Sequence, residues 1–241
     1  AGHFFNASLG IVFAGICDAL DGRVARLSKT TSKFGLEYDS LADIVSLGLA
    51  PAILAFHAGH LEGFRRTGFV IAFLYVACAA LRLARFNVHV SRYSGRFEGL
   101  PSPAAAGMVS ATQLFVSFLR DEQIGVAVPE ALVAAGVAAL GLLMVSAIPY
   151  RSFKEVDLRH SYRAIVMMVL VLAVVIQEPQ IALFVIGVLY VASGPVEWVW
   201  RMLSGHPLEK LPPPVESLSY GLEYGETAAG RVDSEAETHP G

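Results

Sequence analysis

The sequence predicts an all-α protein built as a polytopic transmembrane helix bundle, and three observations predict it. Hydrophobic residues fill 54% of the 241 positions and charged residues only 16%, with a mean hydropathy of +0.55, outside the range of ordinary soluble domains. Apolar runs recur at lengths near the roughly 20 residues that a helix needs to cross a hydrocarbon core of about 30 Å. Stretches such as VVIQEPQIALFVIGVLYVASG are continuously apolar on both sides of a tight turn, whereas strands of a membrane barrel alternate apolar and polar over about 10 residues. Unpaired backbone groups in lipid cost several kcal/mol each, which leaves the helix as the element that fits.

About seven spans follow in chain order, at about 5–26, 37–58, 67–88, 102–119, 128–149, 161–177 and 180–200. The first two are joined by LSKTTSKF, polar enough to turn the chain at a membrane surface, and the sixth is short. Lys and Arg near span ends set orientation, the cytoplasmic side taking the excess. Alternate connections hold Arg23, Arg26, Lys29 and Lys33, then Arg82, Arg85, Arg92 and Arg96, then Arg151, Lys154, Arg159 and Arg163, with Arg201, Lys210 and Arg231 after the last span. The opposite side has only Arg65, Arg66 and Arg120. The sequence thus predicts that CDALDGRVARLSKTTSKFGLEYDSLAD, residues 17–43, faces the cytoplasm, and the net charge of −3 hides a basic cytoplasmic surface behind an acidic tail.

Residues 1–203 read as the transmembrane domain and 204–241 as a disordered cytoplasmic tail, since HPLEKLPPPVESLSY is too poor in apolar side chains to fold alone. Two cysteines, Cys17 and Cys78, form no disulfide or zinc pattern and read as packing residues. No nucleic-acid partner is expected.

The charge in residues 17–43 is a problem of geometry. Asp18, Asp21, Gly22, Ala25 and Arg26 share one helix face, as do Gly35, Asp39 and Asp43. If the two helices run antiparallel, four carboxylates converge. Ionised Asp inside a membrane helix costs about 2.5–3.5 kcal/mol, so it requires a partner or a functional cavity. Four together repel unless cations stand between them, and hard oxygen ligands suit Mg²⁺ or Mn²⁺, with Ca²⁺ a further option. Gly22 and Gly35 allow close approach to the backbone.

The pattern D-x2-D-G-x2-A-R-x8-G-x3-D-x3-D is complete here as Asp18, Asp21, Gly22, Ala25, Arg26, Gly35, Asp39 and Asp43. It resembles the signature of the CDP-alcohol phosphatidyltransferases. LADIVSLGLAP, LRLARFNV (81–88) and FEGLPSPAAAG (97–107) are similar to the bacterial, membrane-embedded branch whose acceptor is serine. The resemblance covers most of residues 3–200, with its sharpest motifs in 18–107. Members usually carry a further helix ahead of the one holding Asp18, so the resemblance implies that an N-terminal span is missing from this sequence.

The resemblance implies that CDP-diacylglycerol gives its phosphatidyl group to the hydroxyl of L-serine, yielding phosphatidylserine and CMP. It implies two divalent ions, Mg²⁺ or Mn²⁺, held by Asp18, Asp21, Asp39 and Asp43, with Asp43 as the catalytic base. Asp18, Gly22, Ala25 and Arg26 would bind the CDP moiety, with Lys33 or Lys29 as accessory cations. Arg85, Asn87 and Arg82 would hold the serine, because a planar guanidinium grips a carboxylate in bidentate fashion, and Glu98 and Ser102 are further candidates. A homodimer in a bacterial inner membrane, with its active site toward the cytoplasm, completes the expectation. Two alternatives stay open: the same chemistry on glycerol phosphate, inositol phosphate or choline, and a cation transporter. Against the transporter, the aspartates cluster at one end and no second copy of the motif occurs.

Overall fold

The computed structural model describes residues 2–28, 32–88, 96–123, 128–151 and 177–204. Seven α-helices account for most of them: α1 (Gly2–Ser28), α2 (Lys33–Asp43), α3 (Ala50–Ala58), α4 (Arg66–Val88), α5 (Ser102–Asp121), α6 (Glu130–Val145) and α7 (Pro179–Ser204). Among the described residues, five stretches are helical, long and apolar enough to cross a membrane: His3–Gly22, Glu37–Ala58, Arg66–Asn87, Ser102–Asp121 and Pro179–Ser204. These coincide with five of the seven predicted spans. All but the last residue of the sixth prediction, 161–177, and the tail beyond Ser204 lie outside the described residues.

The span predicted at 128–149 is shorter than expected. Helix α6 stops at Val145, and Ser146 leaves the helix with an extended backbone (ψ 160°). Pro149 disfavours helix at the residue before it, and Pro149–Arg151 instead forms a strand, β2, antiparallel to β1 (Arg96–Glu98), with Phe97 opposite Tyr150. This two-stranded sheet is an addition to the all-α class. Gly99 makes it possible: it follows β1 at φ +77°, a backbone conformation open to glycine at little cost, and its N–H donates to the Ile148 carbonyl at 2.9 Å.

The second span is continuous from Lys33 to Ala58 but not uniform. Ser32 caps its start, its hydroxyl accepting from the Gly35 N–H at 3.0 Å. Between α2 and α3, Ile44–Leu49 adopts a π-helical turn, with the Ala50 N–H reaching back to the Val45 carbonyl. Pro51 explains it: without an N–H it cannot serve the carbonyl one turn back, so the helix widens locally. The Leu47 carbonyl thereby exposed is approached by the hydroxyl of Tyr75, a fully buried residue, at 3.5 Å.

Packing runs α1 against α5, α4 against α6, and α5 against α7. The core is rich in small residues, including Ala52, Ala55, Ala79, Ala105 and Ala106 around Leu47, Tyr75, Leu140 and Met144, which lets helix backbones approach without a hydrophobic driving force between them. Gly141 is one such contact, since a Cβ there would lie 3.3 Å from the Tyr75 Cα. Cys78 is buried as expected, but Cys17 is exposed on α1 and is not a packing residue within this chain. Large side chains such as Phe13, Phe69, Phe73, Leu189 and Trp200 point outward, as they would toward lipid. A cavity of about 530 Å³ opens between α3, α5, α6 and α7, lined mainly by apolar side chains such as Leu54, Val137 and Phe184, and none of the four motif aspartates lines it.

Candidate active site

The acidic motif folds as its spacing requires. Asp18 and Asp21 lie one turn apart in the second half of α1, and Asp39 lies in α2 across a short connection. A carboxylate oxygen from each of these three falls within 4.8 Å of the others. Asp43, the last residue of α2, joins them through a side-chain hydrogen bond with Asp18. Two carboxyl groups in such contact need a proton or a cation between them. Oxygen ligands at about 2.1 Å from one Mg²⁺-sized ion lie up to about 4.2 Å apart, so the spread is close to what a divalent site requires. The donor set is all carboxylate, the chemistry that suits Mg²⁺ or Mn²⁺. The residues fit the implied metal.

Gly22 sits next to Asp21 on α1 and is half-buried. Ala25 and Arg26 occupy the last turns of the same helix, while their side chains, like those of Lys29 and Lys33, lie outside the described residues.

The predicted acceptor residues separate into three environments. Arg82, partly buried, donates from Nη1 to the Ser102 hydroxyl at 2.8 Å, while its buried Nε has no hydrogen-bond partner among the described residues. Asp43 and Tyr190 both lie within electrostatic reach of its guanidinium. Arg85, one turn further along α4, forms an ion pair with Glu98 of β1 and donates to the Val145 carbonyl at 3.2 Å. Asn87 is exposed and donates to the Ser40 hydroxyl of α2 at 3.0 Å. Arg82 is therefore the member of this trio placed beside the acid cluster. The other two tie α4 to β1, α6 and α2.

Two residues at this end escaped the sequence reading. Tyr150 of β2 is fully buried, donates to the Val191 carbonyl at 3.0 Å, and its ring lies 5.7 Å from that of Tyr190. Its ring occupies the space that a side chain at Gly194 would need. Burial first, and the neighbouring Tyr190 second, push the Tyr150 hydroxyl up to about 12. The available signal was a lone tyrosine in an otherwise apolar run: Tyr150 just past the span predicted at 128–149, where it matches an interfacial aromatic equally well, and Tyr190 in the middle of the span predicted at 180–200.

A fold of long apolar helices carrying eight fixed motif positions at one end defines a class, and comparison with known proteins agrees with it. The profile of the CDP-alcohol phosphatidyltransferase family matches residues 1–175, and the chain belongs to that family. Relatives named CDP-diacylglycerol–serine O-phosphatidyltransferase include one from Helicobacter pylori, 39% identical over 208 residues and covering 83% of each chain. Another, from Mycobacterium leprae, is 33% identical over 206 residues, covering 82% of this chain and 67% of the relative. A third, from Saccharomyces cerevisiae, is 42% identical over 116 residues, covering 44% of this chain and 41% of the relative.

Proposed function

We propose that this protein transfers the phosphatidyl group of CDP-diacylglycerol to the hydroxyl of L-serine, giving phosphatidylserine and CMP. The observation that carries the reading is the meeting of Asp18, Asp21 and Asp39 within 4.8 Å, with Asp43 hydrogen-bonded to the group and Arg82 close by. The names of the relatives supply the acceptor.

Two divalent ions, Mg²⁺ or Mn²⁺, bound by these carboxylates would supply Lewis-acid stabilisation of charge on the diphosphate. Asp18, Asp21, Asp39 and Asp43 are the assigned ligands. Asp18, Gly22, Ala25 and Arg26 line the CDP pocket, the small residues admitting the nucleotide and the guanidinium reaching phosphate oxygens. The serine oxygen forms a bond to the phosphatidyl phosphorus, the bond from that phosphorus to the bridging oxygen breaks, and CMP leaves with that oxygen. Asp43 takes the hydroxyl proton, a role that requires hydrogen-bond reach of the attacking group. Arg82 holds the serine carboxylate, with Arg85 fixing this end of α4 against β1 and α6, and Asn87 fixing it against α2. The protein works as a homodimer in a bacterial inner membrane, with this site at the cytoplasmic face, residues 1–203 forming the transmembrane domain and 204–241 a cytoplasmic tail.

The test incubates the purified protein with CDP-diacylglycerol, Mn²⁺ or Mg²⁺, and a panel of labelled alcohols. CMP release that depends on serine supports the reading. Release with glycerol phosphate, inositol phosphate or choline, and none with serine, removes it.

A further inference from the structure

The acceptor side of the site includes a residue from beyond the segment matched by the family profile. That profile ends at residue 175, and α7 begins at Pro179. The serine-named relative from Helicobacter pylori matches 83% of the chain, which is more than residues 1–175 can supply. The shared segment carries the acid cluster and the nucleotide motif. A residue beyond it can add to the acceptor side that Arg82 and Ser102, within it, already form.

Tyr190 is such a residue. It projects from α7 into electrostatic reach of the Arg82 guanidinium, and its ring rests against the buried Tyr150, which is itself bonded to the α7 backbone. From the other side the Ser102 hydroxyl accepts a hydrogen bond from Arg82 Nη1 at 2.8 Å. Ser102 opens α5, a helix of 20 residues, whose N-terminal end carries partial positive charge and favours an anion in its vicinity. The guanidinium is thus held by the neutral Ser102 hydroxyl, lies within electrostatic reach of Asp43 and Tyr190, and has one buried donor without a partner among the described residues. An under-satisfied cation beside the reacting carboxylates is a seat for an anion. Among simple alcohols, the α-carboxylate is what separates serine from ethanolamine.

We propose that Ser102 and Tyr190 are positioning residues for acceptor selection: they hold Arg82 so that its guanidinium takes the carboxylate of an amino-acid acceptor beside Asp43. The proposal rests on the serine-transfer reading above and adds the residues that enforce it.

Steady-state kinetics of the full chain in detergent, with CDP-diacylglycerol and Mn²⁺, test it. Ser102→Ala raises KM for L-serine by about tenfold or more, the usual effect of losing a hydrogen bond that orders a charged group, and Tyr190→Phe, which removes the hydroxyl within electrostatic reach of the guanidinium, raises it in the same direction. KM for CDP-diacylglycerol stays where it was. Ser102→Thr, which returns the hydroxyl, restores the KM for serine. The wild type prefers L-serine to L-serinamide, whose carboxylate is replaced by an amide, and both variants narrow that preference. If Tyr190→Phe fails to fold, Ser102→Ala and the serinamide comparison decide the matter. Unchanged serine KM in either variant removes that residue, and an equal rise for both substrates overturns the positioning role. These failures occur with a wild type that still uses serine. A wild type that releases CMP with a different acceptor alone overturns the serine reading itself.

Discussion

Arg85 of α4 and Glu98 of β1 form an ion pair, and the same guanidinium also donates to the Val145 carbonyl at the end of α6. One side chain therefore ties two long helices to the small sheet, and Glu98 keeps only 12% of its side chain exposed. Glu98→Ala should lower stability by about 1.5–3 kcal/mol, the range for losing a hydrogen bond to a charged group. Thermal unfolding in detergent reads the loss, and an unaltered melting curve would show the pair to be incidental. Arg85→Ala should raise the serine requirement more than that for CDP-diacylglycerol. Equal changes in both would take Arg85 out of the acceptor pocket.

Asp43→Asn should reduce transfer by at least about 10²-fold, the lower range for losing a general base, while the protein still folds. CMP release from single-substitution variants measures it. Turnover at the wild-type rate would end the assignment of Asp43 as base.

The three carboxylates within 4.8 Å should bind Mn²⁺ in the absence of any substrate. Binding to the folded state raises the melting temperature as the ion concentration exceeds its Kd, and chelation should abolish transfer. Asp39→Asn should weaken that thermal shift. A variant stabilised by Mn²⁺ as strongly as the parent would mean that Asp39 is not a ligand.

Gly194 and Tyr150 give a prediction independent of catalysis. A methyl group at Gly194 would meet the buried Tyr150 ring, so Gly194→Ala should cost about 1–3 kcal/mol by overpacking. Tyr150→Phe loses the bond to the Val191 carbonyl and should cost about 0.5–1.5 kcal/mol. Because the Tyr150 hydroxyl is pushed up to about 12 from the ordinary 10.0 of a tyrosine, the unfolded chain loses this proton first as pH rises. Tyr150 therefore contributes stability below about pH 10 that fades between pH 10 and 12. Tyr150→Phe should remove that part of the alkaline decline. An identical pH profile for both proteins would contradict the burial argument.

Much of this was legible in the sequence because membrane helices announce themselves by length and apolar content, and because the aspartate spacing dictates which side chains share a helix face. Asp18, Asp21 and Asp39 meet as that spacing implies. What escaped depends on contacts between distant segments. Phe97 faces Tyr150 across a sheet whose strands are about fifty residues apart in the chain, and no local periodicity reveals three-residue strands. Tyr190 lies over a hundred residues from Arg82, so its nearness to that guanidinium is a property of helix packing alone. The end of α6 was misjudged because Ala147 and Ile148 continue the apolar run, while Pro149 and the pairing of β2 decide the backbone. Arg85 and Asn87 are expected together in the serine pocket, yet two residues along a helix turn a side chain by about 200°, which sends them to different neighbours.

The π-helical turn at Ile44–Leu49 has a bearing on how such a site can be lost. A turn of this kind contains one residue more than an α-helix needs, and each residue rotates a helix by about 100°. Deleting a single residue from this stretch would let the backbone relax to ordinary pitch and swing Asp39 and Asp43 away from Asp18 and Asp21, leaving every acidic side chain in place and the apolar length almost untouched. Mn²⁺ binding that survived such a deletion would show that the aim of these two groups is set elsewhere. The catalytic alignment is thus geared to a backbone count, and a frame slip too small to disturb membrane insertion would be enough to disarm it.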